Sequence, residues 1–181
     1  MKIKVSAVFV LFCVLVVLAG CEGGPGGKSS QKSGRAVLPA DIAGTWKAPY
    51  KPGPWEIVLS PEGTVASAVI PMMTAEIKPH KITKVRMLDD TYSTIKGGEF
   101  VVEYEPSTRE LFVSIEVEEF HIVFLENRLE GNSMYRFVGP VSEDGKVWMA
   151  DFIHVFDWGP RFPQDEEDIY AEPLIFEKIE K

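Results

Sequence analysis

The most constraining feature of this sequence is a series of short segments in which apolar and polar residues alternate. In residues 111–117, Leu, Val, Ile and Val occupy every second position, and Ser114 and Glu116 lie between them. Successive side chains of a β-strand point to opposite faces, so this alternation predicts strands with one buried face. Past Asp41, no apolar run has the spacing of an amphipathic helix. The chain is therefore expected to form antiparallel sheet.

The alternation changes parity once within this region. Apolar residues occupy odd positions up to Val117 and even positions at Phe120, Ile122 and Phe124. A slip of one residue would turn every following side chain to the other face of the sheet. The change therefore predicts a β-bulge or a tight turn near Glu118–Glu119.

Turn-forming residues separate the alternating segments at intervals of about ten residues. The predicted turns are 51–54, 61–63, 96–98, 106–108, 130–132 and 143–145. Val147 to Trp158 is apolar on both faces, which favours a central strand. Residues 169–179 are predicted to form the last strand, with Pro173 at an edge or a bulge. About eight to ten such strands predict an antiparallel up-and-down barrel, with a β-sandwich as the alternative.

The start of the β region carries a family resemblance. Residues 38–46 end in Gly44-Thr45-Trp46, and this stretch resembles the opening of lipocalin-type (calycin) barrels, in which a short turn leads into Gly-x-Trp on the first strand. The resemblance implies a lipocalin-like barrel with Trp46 closing one end. The Arg that stacks on this Trp in lipocalins has no match, since the final strand offers only Lys178. The alternative is that Trp46 is an ordinary core residue of a sandwich.

The N-terminus has the pattern of an export signal. Lys2 and Lys4 precede an uncharged segment from Val5 to Gly20, which is shorter than the roughly 20 residues of a spanning helix. Its end, Leu-Ala-Gly-Cys21, resembles the lipobox of bacterial lipoproteins. The resemblance implies lipidation of the Cys21 sulfur, cleavage after Gly20 and anchoring in the bilayer by acyl chains such as palmitate. An ordinary cleaved signal peptide followed by an unrelated cysteine is the alternative.

These features divide the chain into three parts. Residues 1–20 are the expected signal peptide, 21–40 the lipidated cysteine and a flexible Gly/Ser-rich tether, and 41–181 a single β domain. That domain holds 14 Lys and Arg against 26 Asp and Glu, a net charge of −12, which argues against a nucleic-acid partner. The expected location is the cell envelope. In a diderm this is the periplasmic face of the outer membrane, and otherwise the outer face of the cytoplasmic membrane.

His154 lies between two acidic residues, Asp151 and Asp157. On a helix the three side chains could converge into a metal or acid–base site. On a strand the two Asp lie on one face and His154 on the other, with Phe152 and Phe156. We therefore expect His154 to be a hydrogen-bonded core residue or part of a pocket wall.

Other polar residues give little support for a metal site or a catalytic site. Glu119 and His121 share a strand face, but three histidines and a cysteine-free domain provide few zinc ligands. His121 is predicted to face solvent, and residues 165–168 to form a solvated acidic loop, because they lack the spacing of a calcium loop. No nucleophile motif is present. We predict no enzyme, cofactor or metal, and keep a carboxylate-based hydrolase of an envelope polymer as the least favoured alternative.

Aromatic residues around Pro/Gly loops are the remaining functional signal. Tyr50 and Trp55 flank the 51–54 loop, and Trp158 precedes a second such loop. Such rings hold ligands or cap the ends of a core. We predict a non-catalytic binding module for a small apolar or amphipathic ligand, held by Tyr50, Trp55, Trp148 and Trp158. The alternative is a structural or interaction lipoprotein that docks on cell-envelope proteins.

Overall fold

The computed structural model describes residues 37–71, 74–86, 92–124, 127–158 and 169–180. The chain divides into two units, Met1–Ser33 and Gly34–Lys181, and every described residue belongs to the second. The predicted signal segment, Cys21 and the acidic run 165–168 lie outside the described residues. Within the described ranges, no helix is long and apolar enough to cross a membrane.

The described residues form one antiparallel sheet of ten strands, in the order β4-β3-β2-β1-β10-β9-β8-β7-β6-β5. The strands are β1 Gly44–Ala48, β2 Trp55–Ser60, β3 Thr64–Ile70, β4 Ala75–Ile77, β5 Ile82–Arg86, β6 Tyr92–Glu105, β7 Glu110–Phe124, β8 Asn127–Pro140, β9 Val147–Asp157 and β10 Ile169–Ile179. Consecutive strands pair except β4 and β5, and β1 pairs with β10. The predicted up-and-down barrel is confirmed, and it nearly closes. A single continuous sheet is not the two-sheet arrangement of a sandwich.

The incomplete seam of the barrel lies between β4 and β5. No strand ladder joins these two strands among the described residues, but the Thr83 hydroxyl donates a hydrogen bond to the Glu76 carbonyl at 3.0 Å. The Gly97 N–H of β6 donates to the Lys81 carbonyl in the connecting loop at 2.9 Å. The Thr83–Glu76 hydrogen bond crosses the seam in place of a ladder, whereas the Gly97–Lys81 bond extends the pairing of β5 with β6.

The inward faces of the strands form an apolar core dominated by aromatic rings. In β9, even-numbered residues from Trp148 to His154 are buried, whereas Met149 and Asp151 are exposed. The largest buried side chains are Trp46, Trp55, Trp148, Tyr135, Phe120, Phe137, Phe152 and Phe176. Burial of each such ring stabilises the fold by about 2–3 kcal/mol.

Trp46 is fully buried near one end of the barrel. Its indole N–H donates to the Ile42 carbonyl at 2.9 Å, and its ring packs edge-on against Trp148 at 6.2 Å between centroids. Lys178 Nζ lies 5.9 Å from the Trp46 ring centroid and 3.1 Å from the Ala40 carbonyl oxygen. Lys178 thus makes a cation–π contact with Trp46. It is the residue of the last strand that the sequence offered in place of the Arg of lipocalins. We call this the Trp46 end and the opposite one, where β9 ends, the Trp158 end.

Core packing begins at Leu38, within the 21–40 stretch assigned to the tether. Leu38 is buried, and its N–H donates to the Pro61 carbonyl at 3.0 Å. Asp41 then accepts a hydrogen bond from the Arg109 guanidinium at 2.7 Å, which lowers the pKa of the Asp41 carboxyl. These contacts attach residues 38–41, which precede β1, to the β2–β3 turn and the β6–β7 turn at the Trp46 end.

Two of the predicted turns are wrong. Residues 96–98 lie inside β6 and residues 130–132 inside β8. The glycines there permit close backbone approach instead of a turn: a Cβ on Gly97 would lie 2.2 Å from the Lys78 carbonyl oxygen, and one on Gly131 would lie 2.1 Å from that of Asp157. The other four predicted turns connect strands.

The predicted change of register is confirmed. Pairing between β7 and β8 shifts between Val117 and Phe120, so that both residues are buried while Glu118 and Glu119 are exposed. The extra residue of a bulge restores the inward direction of the apolar side chains.

The last two strands also match their predictions. β9 lies between β8 and β10, as expected of a central strand. In β10, Pro173 pairs with Asp151 of β9, whereas the described pairing with β1 includes only residues 177–179. Pro173 therefore lies at a local edge, where its missing N–H breaks no ladder bond.

Candidate ligand-binding site

The four aromatic residues predicted to bind a ligand do not share one rim of the barrel. Trp55 and Trp148 are buried in the core, and Tyr50 and Trp158 are partly exposed. Trp148 is the second residue of β9, whereas Trp158 directly follows its last residue, a separation of roughly 30 Å at the usual rise of a strand. Trp148 therefore belongs to the Trp46 end, and Tyr50, Trp55 and Trp158 belong to the other half.

Phe152 is the centre of the aromatic cluster in that half. The centroid of its ring lies 5.9 Å from that of Tyr50, 5.6 Å from Trp55, 6.4 Å from Tyr135, 5.1 Å from Phe137 and 6.0 Å from His154. Strand register produces this arrangement, because Phe152 pairs with Phe137 on one side and with Glu172 on the other. Residues far apart in the chain are thereby brought around one ring.

Five buried polar side-chain atoms in this region have no hydrogen-bond partner in the described part of the chain. They are Trp55 Nε1, Ser133 Oγ, Tyr135 OH, His154 Nε2 and Glu172 Oε1. We call these five residues the polar cluster. Buried polar groups in native proteins almost always have partners, because an unpaired one costs about 1–3 kcal/mol. Several such atoms around one ring mark a place where a ligand can bind.

His154 belongs to the aromatic cluster around Phe152. It is 5% exposed, and its imidazole stacks on Tyr135 with 4.1 Å between ring centroids. The predicted placement beside Phe152, on the face opposite the exposed Asp151, is confirmed. Burial lowers the pKa of His154 to about 3, so the imidazole is neutral at physiological pH. One ring nitrogen then donates a hydrogen bond and the other accepts one.

The burial of His154 predicts loss of stability in weak acid. The pKa is about 3 in the folded chain against an ordinary value of 6.5, so the unfolded state binds more protons between these pH values. Stability therefore falls as the pH falls through this window. Between pH 6.5 and 4.5 the native chain should lose about 2 kcal/mol more than a His154→Phe variant, as measured by urea denaturation.

His121 supplies the control for that experiment. Its hydrogen bond to Glu119 raises its pKa, so its contribution to stability is present below its unfolded pKa and is lost as the pH rises through the folded value. His121→Gln should therefore keep the acid-induced loss. An equal loss in the His154→Phe variant would contradict the assignment to His154.

Tyr135 provides a neutral hydroxyl next to His154. Burial raises the pKa of Tyr135 to about 12, although the nearby Ser133 hydroxyl opposes part of this shift. The two hydroxyls are thus near each other, but they are not aligned for a hydrogen bond, and neither has another partner within the described residues. Each can therefore donate to a ligand or accept from it.

Glu172 places a carboxylate on the inner face of β10, in line with Leu174 and Phe176. Its Oε2 accepts a hydrogen bond from the Tyr170 hydroxyl at 3.1 Å. Burial, together with the neighbouring Glu172 charge, raises the pKa of Tyr50 to about 12. The carboxylate thus lies between two neutral phenols.

The stretch of β10 beside the polar cluster has no partner strand on its other side among the described residues. The described pairing of β1 with β10 stops at Glu177, so the part of β10 that carries Tyr170 and Glu172 has no β1 neighbour. Tyr170 is 49% exposed, and both Tyr50 and Glu172 are partly exposed. This unpaired side of β10 is where a ligand could reach the cluster.

His121 and its acidic neighbours do not form a second site of this kind. His121 Nε2 lies 2.8 Å from Glu119 Oε1, and Nδ1 lies 3.3 Å from Glu130 Oε1. The predicted shared face with Glu119 is confirmed, and His121 is exposed as expected. In the described ranges, no three His, Cys, Asp or Glu side chains converge in a way that could hold a metal ion.

An open groove of about 1160 Å³ lies at the Trp46 end, between the start of β1 and the ends of β2 and β10. The charged groups in this groove form the pairs given below. It therefore differs from the polar cluster, whose buried polar atoms have no partners among the described residues. These pairs are Asp41 with Arg109, Lys146 with Glu180, and Lys178 with the Ala40 carbonyl.

Sequence reasoning missed Ser133, Tyr135 and Glu172 as site residues. A usable signal was present, because Glu172 shares the parity of Leu174 and Phe176 in a strand that was correctly predicted. A carboxylate at an inward position of an apolar face is unusual, since charged residues are rarely buried unless paired.

Comparisons of the chain with protein-family models, with curated proteins and with solved structures found no match.

Proposed function

We propose that the chain is a lipid-anchored binding module of the bacterial cell envelope, whose barrel binds a small amphipathic ligand at the polar cluster without catalysis. The observation that carries this proposal is the set of five buried polar atoms without partners. A buried polar group without a partner costs about 1–3 kcal/mol, so each of these atoms favours a hydrogen-bonding partner. A ligand with hydrogen-bond donors and acceptors would recover that free energy on binding.

The surroundings of the cluster suit the apolar part of such a ligand. Trp55 lies 5.0 Å from Tyr135 and 5.6 Å from Phe152 between ring centroids, which presents rigid aromatic surface beside the polar atoms. Small-molecule sites are mostly apolar, with a few placed polar groups that set the orientation of the ligand. The mixture of rings and unpaired polar atoms fits that description.

The binding proposal is tested at Tyr135. Tyr135→Phe removes one unpaired hydroxyl and leaves the ring, so the empty protein should gain about 1 kcal/mol in free energy of unfolding. The same change should reduce the fraction of full-length protein that carries a non-covalent small molecule in native mass spectrometry. Tyr92→Phe, at an exposed tyrosine, should change neither quantity. A wild-type protein without a bound molecule, or an unchanged bound fraction in Tyr135→Phe, would refute the proposal.

The anchor is tested at Cys21. When the protein is expressed in a bacterial host, the mature chain should begin at Cys21 and carry fatty acid, and Cys21→Ser should abolish incorporation of a labelled fatty acid. Burial of two or three acyl chains, at about 0.8 kcal/mol per CH₂, makes such an attachment effectively permanent. Cys13→Ser changes the other cysteine of the chain and should keep the label. Labelling that persists in Cys21→Ser would contradict lipid anchoring.

A docking role on envelope proteins is the second candidate, and an exposed apolar pair favours it. Met149 and Ile175 are register partners on the outer face of β9 and β10, and they are 54% and 58% exposed. Exposed apolar surface can mark a protein interface when it extends into a patch. Replacing both residues with Lys should release a co-purifying envelope protein if docking is the function, and should leave ligand binding unchanged.

A further inference from the structure

We infer that the ligand of the polar cluster carries an organic ammonium group and that the Glu172 carboxylate binds this group. The inference rests on the proposed function and names the chemical class of the ligand. Glu172 Oε2 accepts a hydrogen bond from Tyr170 at 3.1 Å, whereas Oε1 is buried and has no partner among the described residues. The Tyr50 hydroxyl also lies near the carboxylate, but Oε1 accepts no hydrogen bond from it in favourable geometry, so this oxygen is the one available to a ligand.

The available oxygen requires a donor, and a positively charged donor suits it best. A buried carboxylate oxygen is stabilised by a paired charge or by charge-assisted hydrogen bonds. In the described part of the chain, neither Lys nor Arg forms an ion pair with Glu172. A carboxylate or phosphate group would be repelled at this position, and an apolar group would leave Oε1 unpaired.

The rings beside Glu172 favour the same class of ligand. Tyr50 lies next to the carboxylate and packs edge-on against Phe152, with 5.9 Å between centroids. Aromatic rings attract an ammonium group that lies within about 6 Å of the ring centroid, because the face of the ring is negative. The surrounding domain, with a net charge of −12 in residues 41–181, also attracts cations.

The other four residues of the polar cluster indicate which hydrogen-bonding groups the rest of the ligand would carry. Trp55 Nε1 is only a donor, so it requires an acceptor such as a hydroxyl or carbonyl oxygen. Ser133, Tyr135 and neutral His154 can each donate or accept. The site therefore fits an amphipathic molecule with an ammonium group at Glu172 and an oxygen near Trp55.

The test compares three probes that share a benzyl or phenyl group and differ in charge: benzylammonium, benzyl alcohol and benzoate. Their affinities are measured by isothermal titration calorimetry at pH 7 with the full-length protein in phosphatidylcholine nanodiscs, and empty nanodiscs provide the blank. Benzylammonium should bind at least about tenfold more tightly than benzyl alcohol, and benzoate should bind least. Glu172→Gln should lower the affinity for the cation to that for the alcohol.

Glu177→Gln is the matched control. Glu177 lies on the same strand and is exposed, so the variant makes the same change of charge outside the site and should keep the preference for the cation. The melting temperature of Glu172→Gln should equal or exceed that of the wild type, which shows that the variant is folded.

Two results would overturn the inference. One is failure of benzylammonium to bind, and the other is an unchanged affinity for it in Glu172→Gln. The proposed function is judged separately, by the co-purified molecule and its dependence on Tyr135. If Tyr135→Phe still reduces that bound fraction, ligand binding stands and only the ammonium class is wrong.

Discussion

Replacing Gly139 with alanine is expected to lower the free energy of unfolding by about 3 kcal/mol or more. Gly139 is buried in β8, and a Cβ there would lie 1.9 Å from the Met149 carbonyl oxygen and 3.0 Å from its carbonyl carbon. Those atoms are backbone, so they cannot rotate away as a flexible side chain would. The Trp148 indole also donates to the Gly139 carbonyl at 3.2 Å. Separation of β8 from β9 would therefore disturb the packing at the Trp46 end.

Gly53→Ala is the control for this prediction. A Cβ on Gly53 would lie 3.5 Å from its nearest neighbour, the Pro71 carbonyl oxygen, which is ordinary contact. Its unfolding free energy should stay within about 0.5 kcal/mol of the wild type in urea denaturation. A Gly139→Ala variant with wild-type stability would show that β8 and β9 are not so closely packed at this point.

The parity of apolar residues was sufficient to predict most of the fold. Alternation predicted β7, and the switch of parity after Val117 predicted its bulge, because the direction of a side chain depends only on its position along the strand. Residues 169–179 were predicted as a strand with the observed bounds. These predictions use local information, which a sequence contains directly.

Glycine residues predicted turns less reliably than alternation predicted strands. Gly97 and Gly131 suggested turns, but both lie within strands, where a Cβ would collide with the carbonyl oxygens of Lys78 and Asp157. A glycine that forms a turn and a glycine that admits a distant backbone look alike in one sequence. The distinction depends on contacts between segments far apart in the chain.

The candidate site was predicted only in part, for the same reason. Trp55 was singled out because it follows a Pro/Gly loop, and it lies beside Tyr135 of the polar cluster. Its contacts with Tyr135 and Phe152 bring together strands that are far apart in the chain, and Glu172 joins this group only because β9 and β10 pair in one register. Trp148 was assigned to the same group although it lies at the Trp46 end, since composition does not reveal which end of a strand faces a ligand.

Phe137→Ala should be among the most destabilising substitutions of a side chain in this protein, with a loss of about 3–5 kcal/mol in free energy of unfolding. Phe137 is fully buried, and it connects the aromatic groups of the two halves of the core. Its ring centroid lies 5.1 Å from Trp55, 6.1 Å from Trp148 and 5.5 Å from Phe176. Removal of the ring leaves a cavity that these rigid neighbours cannot fill.

Phe112→Ala makes the same chemical change at a position that is only partly buried on the neighbouring strand β7, so it should cost about 1 kcal/mol. Urea denaturation gives the loss in free energy of unfolding for each variant. The difference between the two losses measures what packing in the aromatic core adds to the effect of removing a partly buried phenyl ring. Similar losses in the two variants would mean that the interior relaxes around the cavity. A large difference would mean that the rings of Trp55, Trp148 and Phe176 pack rigidly around Phe137 and so connect the two halves of the core.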